Sequence, residues 1–383
     1  MIINRNKYGK DDLMKRLLCL LLVLSLVLAG CGKKEAEVEP TEAPTAAPTE
    51  APTEAPTEAP TEAPTEPPTE APTEPPVPTN PLTGEPLEDY YTGRPVAFSL
   101  NNISACLPQY GLDDVDWLFE LETEGGITRC VGLMTDPASA DVVGPIRSCR
   151  SYFVNLSVSY NAPLFHCGSS VYAKDNHYSQ YDRIDSWDHI DQMSSSSKYF
   201  YRDSRGGGYA TEHTLFTSGE RMAKAMDELE LNPTGDEPVT YGYQFAEDVS
   251  LDGTGANTVK IGFRGGKRTT MEYDAESGMY LAHQYGYDWV DGSTGENAAF
   301  ENVLVVITDH TVAPFGLSFY DLDGTGHGYY ATNGRIIPIK WHHEGVDGPF
   351  RFTLEDDTTP ITLSVGTTYC AVIDIDSGSI TAE

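Results

Sequence analysis

Basic residues are scarce in this chain of 383 residues. Lys and Arg number 25 against 58 Asp and Glu, which gives a formal net charge of −33 at pH 7. A protein that binds nucleic acid usually presents a basic stripe to the phosphates. The sequence therefore predicts no nucleic-acid partner, and an acidic secreted surface of this kind suits calcium or a cationic ligand.

Cysteines that could pair or hold a metal are also lacking. Beyond residue 80 the cysteines are scattered and contain no CxxC pair: Cys106, Cys130, Cys149, Cys167 and Cys370. An odd, scattered set argues against a disulfide framework, and no His/Cys spacing fits structural zinc. We expect these cysteines to be mostly buried packing residues, and we expect no metal site and no cofactor.

No apolar run in the chain is long enough to span a bilayer. The most apolar stretch, KRLLCLLLVLSLVLAGC from residue 15, has a core of twelve residues, whereas a transmembrane helix needs roughly 20. A basic start followed by a short apolar core is typical of a secretory signal. Because its end, LAGC, resembles a bacterial lipobox, residues 1–31 are predicted to be a lipoprotein signal peptide.

Cys31 is then the residue that carries the lipid, and the membrane is an expected partner through this anchor. Two acyl chains, such as palmitate, hold a protein where one chain is marginal, so we expect an anchor on the outer face of the cytoplasmic membrane. An ordinary secretory signal or an uncleaved anchor is the alternative. Residues 32–79 repeat Pro-Thr-Glu-Ala and Pro-Thr-Glu-Pro, which predicts a disordered, extended stalk.

The sequence pattern of the remaining part of the chain, the head (residues 80–383), changes near residue 235. Residues 80–235 mix strand patterns with helical ones, which indicates an N-terminal mixed α/β domain. Residues 236–383 have short β-type runs between Gly turns, which indicates a smaller antiparallel β-rich C-terminal domain. The predicted fold class is therefore α+β or α/β, and the oligomeric state is left open.

The segment GPIRSCRSYF, residues 144–153, places two arginines three positions apart. Apolar residues at spacings of 3 and 4 predict an amphipathic helix over residues 146–160, entered at Pro145. Arg147 and Arg150 would then project together from its first turns, where the helix dipole disfavours cations. A negative partner is expected there, from the chain or from a ligand.

Six spaced motifs resemble one family. NPLTGEP, RPVAFSLNN, LPQYGLDDVDWLFELETEGGITR, GPIRSCRSYF, FHCGSS and FYRD, followed by GRIIPIKWHHEG and LSVGTTYCAVI, are similar to the YerB-like lipoproteins, domain-of-unknown-function family 3048. The resemblance implies an N-terminal family domain, a smaller β-rich C-terminal one and a lipid anchor, and it carries over no activity. It implies recurrent polar positions at Asn102, Glu124, Arg129, Arg147, Arg150, His166, Ser169 or Ser170, Arg202 and His213. Asn101 departs from the family, which commonly has Asp there.

Two hypotheses for function follow. The arginines, with Arg205 added, could form an anion site because guanidinium groups hold carboxylate or phosphate through two hydrogen bonds. The protein would then be a non-catalytic envelope protein that binds an anionic wall polymer or a protein partner. Internal salt bridges to Glu122, Glu124, Asp182 or Asp203 are the alternative use of these arginines.

The second hypothesis is an extracytoplasmic hydrolase or transferase. His166 or His213 would be its general base, and Cys167, Ser169 or Ser170 its nucleophile. The sequence has no G-x-S-x-G elbow, which argues against this hypothesis. Calcium-dependent adhesion through DLDGTGHG, from Asp321, is held in reserve, although an Asp-Gly hairpin turn explains that segment more simply.

Overall fold

The computed structural model describes residues 77–169, 187–233, 235–313, 316–344 and 348–383. The predicted signal peptide and nearly all of the predicted stalk lie outside these residues. The two α-helices of the described part are α1 Ser151–Ser159 and α2 Gly219–Glu228. The strands, in chain order, are β1 Val96–Asn102, β2 Trp117–Glu122, β3 Thr128–Met134, β4 Leu164–His166, β5 His189–Asp191, β6 Tyr201–Arg202, β7 Leu215–Phe216, β8 Gln244–Ala246, β9 Thr254–Gly255, β10 Thr258–Gly262, β11 Arg268–Asp274, β12 Met279–Gln284, β13 Tyr287–Asp288, β14 Ala299–Phe300, β15 Asn302–Thr308, β16 His310–Ala313, β17 Leu317–Tyr320, β18 Gly324–Thr332, β19 Arg335–His343, β20 Arg351–Thr353, β21 Thr362–Ser364, β22 Thr368–Asp374 and β23 Ser379–Ala382.

One large mixed sheet organises the described residues. Its order is β20-β19-β18-β15-β22-β2-β3-β1-β4-β5, with β9 paired to β19. The strands β15, β22 and β2 run parallel to one another, β2, β3 and β1 alternate in direction, and β4 and β5 continue parallel to β1. A second sheet, β13-β12-β11-β10-β23 with β14 beside β12, is antiparallel.

The fold is mostly strand with two α-helices in the part that the structure describes. This favours α+β over α/β, with a mixed sheet in the N-terminal half and antiparallel sheet in the C-terminal half. The predicted boundary near residue 235 stays a prediction. The structure adds that β2 and β22, one from each side of that boundary, are direct neighbours in the large sheet.

Short sequence patterns account for several local elements. The run RPVAFSLNN contains β1, and β2 and β3 form an antiparallel hairpin around Gly125 and Gly126. Ser218 caps α2, because its side chain accepts a hydrogen bond from the N–H of Arg221. The five scattered cysteines are free, and all except half-buried Cys167 are buried.

The helix predicted over residues 146–160 is wrong in its first turn and a half. The α-helix begins at Ser151, with Arg150 as its N-cap. Ile146 forms a β-bridge with Leu100, and the N–H of Arg147 donates to the Ser99 carbonyl at 2.8 Å. The edge of β1 therefore satisfies backbone groups that an isolated helix start would leave free. Ile146 and Cys149 are also buried in this extended conformation. Their spacing in the sequence is therefore compatible with a helix and with an extended segment, and it could not distinguish the two.

Two apolar clusters cover opposite faces of the large sheet. Along β3, Cys130 and Met134 belong to one cluster, and Val131 and Leu133 belong to the other. This alternation follows from the two-residue period of a strand. The helix α1 lies on the Val131 face, and α2 contributes Met222 and Met226 to the other. Arg129 therefore belongs to the face that α1 covers.

A buried carboxylate joins the two halves on the opposite face. Glu120 of β2 and Lys267 form an ion pair whose side chains are 0 % and 3 % exposed. The two carboxylate oxygens of Glu120 also accept hydrogen bonds from four further groups: Asn102 Nδ2 at 2.9 Å, Thr128 Oγ1 at 2.6 Å, Thr269 Oγ1 at 2.7 Å and Tyr369 Oη at 2.6 Å. Such full satisfaction is what a buried charge requires.

We expect Lys267→Met to lower the free energy of unfolding by about 3–5 kcal/mol, because it leaves the Glu120 carboxylate buried without its counter-charge. Adding Glu120→Gln should recover part of this loss, since the unpaired charge is then removed. Urea unfolding of the full chain measures both. Lys260→Met is the matched control, because Lys260 pairs with Glu383 at the exposed surface. Equal effects of Lys267→Met and Lys260→Met would contradict the account.

Candidate functional site

Arg129 lies opposite Asn101 across the β1–β3 ladder. Opposed residues share a face of the sheet, and this face is the one beside the start of α1. Arg147 is bonded to Ser99 on the other side of β1, and Ser99 and Asn101 are two residues apart. Arg129 and Arg147 therefore flank β1 and project from the same face of the sheet.

The Arg129 side chain is buried without a carboxylate. The residue is 5 % exposed. Its Nη1 donates to the Ser148 carbonyl at 2.7 Å, and its Nε has no hydrogen-bond partner among the described residues. Burial, with the charges of Arg150 and Arg147, lowers the pKa of Arg129 to about 9, which leaves the guanidinium charged at neutral pH. The charge of Glu124 acts on this guanidinium from a distance, but no carboxylate of the described residues is bonded to it.

Arg150 has the negative partner that the sequence called for. Its Nε donates to both carboxylate oxygens of Glu124 at 2.8 Å, and its Nη2 also pairs with Glu124. Burial raises the pKa of Glu124, but the hydrogen bonds and charge of Arg150 outweigh this effect and lower the pKa below its ordinary value. For Arg150, the alternative of an internal salt bridge is thus correct. This salt bridge uses both oxygens of the Glu124 carboxylate.

Arg147 is bound only through one end of its guanidinium in the described part of the chain. Its Nη1 donates to the Glu212 carbonyl at 3.4 Å, and its buried Nε has no partner there. It is close enough to Arg129 to lower the pKa of that residue. The charge of Arg147 also lowers the pKa of His213, after the effect of burial. Arg147 thus lies between Arg129 and the loop that carries His213.

The loop after β6 supplies the other polar residues of this end of the sheet. His213 is 6 % exposed, and its Nδ1 lies 2.8 Å from Asn101 Nδ2. Because an amide nitrogen is a donor, His213 Nδ1 accepts and its proton is on Nε2. Arg205 donates to the carbonyls of Cys106 and Pro108 and stacks on a neighbouring tyrosine ring, so it holds the loop in place.

Two models of one protein family match this chain. The family model described as "Protein of unknown function (DUF3048) N-terminal domain" matches residues 82–232, and the one described as "Protein of unknown function (DUF3048) C-terminal domain" matches residues 259–370. The chain belongs to the DUF3048 family.

Similarity to YerB of Bacillus subtilis covers most of the chain, both in sequence and in structure. The sequence is 28 % identical over 316 residues to "Putative lipoprotein YerB" of Bacillus subtilis (strain 168), which covers 78 % of this chain and 88 % of the relative. The crystal structure of the YerB protein from Bacillus subtilis matches with a TM-score of 0.66 and 25 % identity, over 79 % of this chain and 99 % of that one. The expected resemblance to YerB-like proteins is confirmed.

The structure places the predicted site residues of this DUF3048 member in three groups, with Asn102 apart from all of them. Around the start of α1 lie Glu124, Arg129, Arg147 and Arg150. The second group has Arg202 at the end of β6, with Arg205 and His213 in the β6–β7 loop. Arg202 is exposed and donates to the Thr211 carbonyl at 2.6 Å. Asn102 lies on the opposite face of the sheet, in the Glu120 network. Its neighbour Asn101 faces the arginines instead.

His166 forms the third group, at the C-terminal end of β4. Its Nδ1 lies 2.9 Å from the Gly168 carbonyl, and its Nε2 lies 2.9 Å from His189 Nδ1. Both ring nitrogens are therefore engaged, and the ring is fully buried. Ser169 is exposed, and Ser170 lies outside the described residues. The sequence analysis missed His189 and Asp191, which are recognisable only once β5 is known to pair with β4.

The acidic turn at Asp321 precedes a hairpin strand. Asp321 Oδ1 accepts the N–H of Asp323 at 3.1 Å, and β18 begins at Gly324. In the part of the chain that the structure describes, no group of three His, Cys, Asp or Glu side chains is arranged to hold a metal ion. The expectation of no metal and no cofactor stays a prediction.

We expect acid to destabilise the fold partly through His166. Burial lowers the pKa of His166 to about 4 from its ordinary 6.5, so between these values the unfolded chain binds the proton more readily. The stability due to the neutral ring is present above pH 6.5 and is lost as the pH falls towards 4. His166→Gln should flatten this part of the plot of unfolding free energy against pH, measured by urea unfolding.

His327→Gln is the matched control, because it makes the same substitution at an exposed position. Parallel plots for the parent chain and His166→Gln between pH 6.5 and 4 would show that the His166 ring does not carry this effect.

Proposed function

We propose that this chain is a lipid-anchored protein of the cell envelope whose head binds an anionic envelope component through Arg129 and Arg147. The observation that carries the proposal is the buried Arg129 guanidinium, whose Nε has no partner among the described residues. The anionic component is a wall polymer in our reading, with an acidic surface of a protein partner as the other source of negative charge.

Arginines without a carboxylate are unexpected in so acidic a chain. The sequence offers 58 acidic residues for 25 basic ones, yet among the described residues the ion pair of this cluster joins Arg150 to Glu124 alone. A buried charge left unpaired costs several kcal/mol. A ligand that brings the missing negative charge would offset this cost, which is why we assign the cluster to binding.

The anchor is the second part of the proposal. Cys31 follows a signal-like segment, and a relative that covers most of the chain has the printed name "Putative lipoprotein YerB". No helix in the described residues is long and apolar enough to cross a membrane. Lipidation of Cys31 would place the head on the outer face of the cytoplasmic membrane, with the Pro/Thr/Glu-rich segment as its stalk.

The hydrolase or transferase hypothesis has less support from the described residues. A general base needs a ring nitrogen within reach of the nucleophile, and both nitrogens of His166 are already engaged. This hypothesis would regain weight if His166→Ala abolished every function of the full chain while the protein stayed folded.

We expect the full chain to co-sediment with isolated wall fragments and Arg147→Gln to weaken this binding by at least about tenfold, because a charge-assisted hydrogen-bond pair is lost. Added salt should weaken binding of the parent chain as well, since exposed parts of the interaction are screened.

Arg351→Gln is the matched control, because it removes the same charge from an exposed arginine that pairs with Glu344. Binding that is unchanged in Arg147→Gln, or reduced equally in Arg351→Gln, would contradict the assignment of the site.

A further inference from the structure

We infer that the Arg129–Arg147 site selects a phosphate group over a carboxylate. The inference rests on the anion-binding function proposed above and adds the chemical class of the ligand. Its basis is the number and arrangement of hydrogen-bond donors that the described residues leave unused on one face of the sheet.

Each of the two arginines is held at one end and unused at the other. Arg129 Nη1 is fixed by the Ser148 carbonyl and Arg147 Nη1 by the Glu212 carbonyl. In both, the buried Nε has no partner among the described residues. The Nε side of a guanidinium carries two nearly parallel N–H groups that match two oxygens of one anion. The site therefore offers two such N–H pairs, one on each side of β1.

A carboxylate can satisfy one N–H pair, as Glu124 shows on Arg150 within the same cluster. Its two oxygens are then both committed, and a second guanidinium would find only their remaining lone pairs. A phosphate group has at least one more oxygen and a tetrahedral shape, so it can accept hydrogen bonds from two guanidinium groups at once. Two unused N–H pairs thus favour phosphate.

His213 adds a further donor of the same kind. Asn101 Nδ2 donates to Nδ1 of the ring, so Nε2 carries the proton, and no hydrogen bond among the described residues uses it. Burial and the neighbouring charges of Arg147 and Arg205 lower the pKa of His213, which keeps the ring neutral at neutral pH without removing this N–H. The side chains that flank β1 here thus present donors, which suits an anion rich in acceptor oxygens.

The test compares small anions of equal charge on the full chain by isothermal titration calorimetry at pH 7.5. Methyl phosphate and succinate both carry nearly two negative charges under these conditions. We expect methyl phosphate to bind at least about tenfold more tightly than succinate. One rigid tetrahedral group meets both N–H pairs, whereas succinate has to order its flexible chain to bring one carboxylate to each arginine. Dimethyl phosphate, a diester, distinguishes a phosphate within a polymer chain from a terminal or free phosphate.

Arg147→Lys is the decisive variant, since it keeps the positive charge and removes the parallel N–H pair. The preference for methyl phosphate over succinate should fall to within about threefold, while weak binding of both anions remains. Arg351→Lys, at the exposed surface, should leave the preference unchanged. Thermal unfolding of each variant checks that the fold is retained.

The outcomes separate this inference from the proposed function. Equal binding of methyl phosphate and succinate by the parent chain would overturn the phosphate preference and leave anion binding intact. A phosphate preference that survives in Arg147→Lys would place the selectivity elsewhere and overturn the assignment to these arginines. If neither anion binds and Arg147→Gln leaves binding to wall fragments unchanged, both the inference and the proposed function are wrong.

Discussion

The Glu120–Lys267 ion pair is the interaction on which the arrangement of the two halves depends. Glu120 lies on the central strand β2, and Lys267 comes from the turn that enters β11 in the second sheet. With Tyr369 of β22 also bonded to Glu120, one carboxylate ties three distant segments together. Its burial makes the geometry demanding, because each polar group taken out of water needs its partner in place. The network thereby fixes how the second sheet packs on the first.

The strands β1 and β3 also carry polar side chains on the face of the large sheet that α1 covers. On β3, Thr128 points to the Glu120 network and Arg129 to the start of α1, and on β1 the neighbours Asn102 and Asn101 divide in the same way. One face thus holds a carboxylate with hydrogen bonds to both of its oxygens, and the other holds guanidinium groups with donors that the described residues leave unused. The contrast is informative, because a protein that completes one buried polar network and leaves another open has a reason to keep the second open.

Much of the fold and part of the site could be predicted from the sequence. The strand β1, the β2–β3 hairpin and the cap of α2 follow from local patterns, and the arginines do gather at one end of the large sheet. The start of α1 could not be predicted, because Ile146 and Cys149 are buried in a helix or beside β1 alike. Predicting that Asn101 faces the arginines, and Asn102 does not, required the strand register. A register shift of one residue would turn every side chain of the strand to the opposite face. The pairing of Glu120 with Lys267 spans 147 positions, and no local pattern reports it.

The most direct test of the account is a crystal structure of the full chain grown with inorganic phosphate. The account predicts a tetrahedral anion within hydrogen-bond distance of the Nε atoms of both Arg129 and Arg147, with Glu124 still paired to Arg150. A carboxylate of the chain itself, contributed by residues 170–186 and paired with Arg129 in that crystal, would contradict it, because the buried charge would then be neutralised without a ligand.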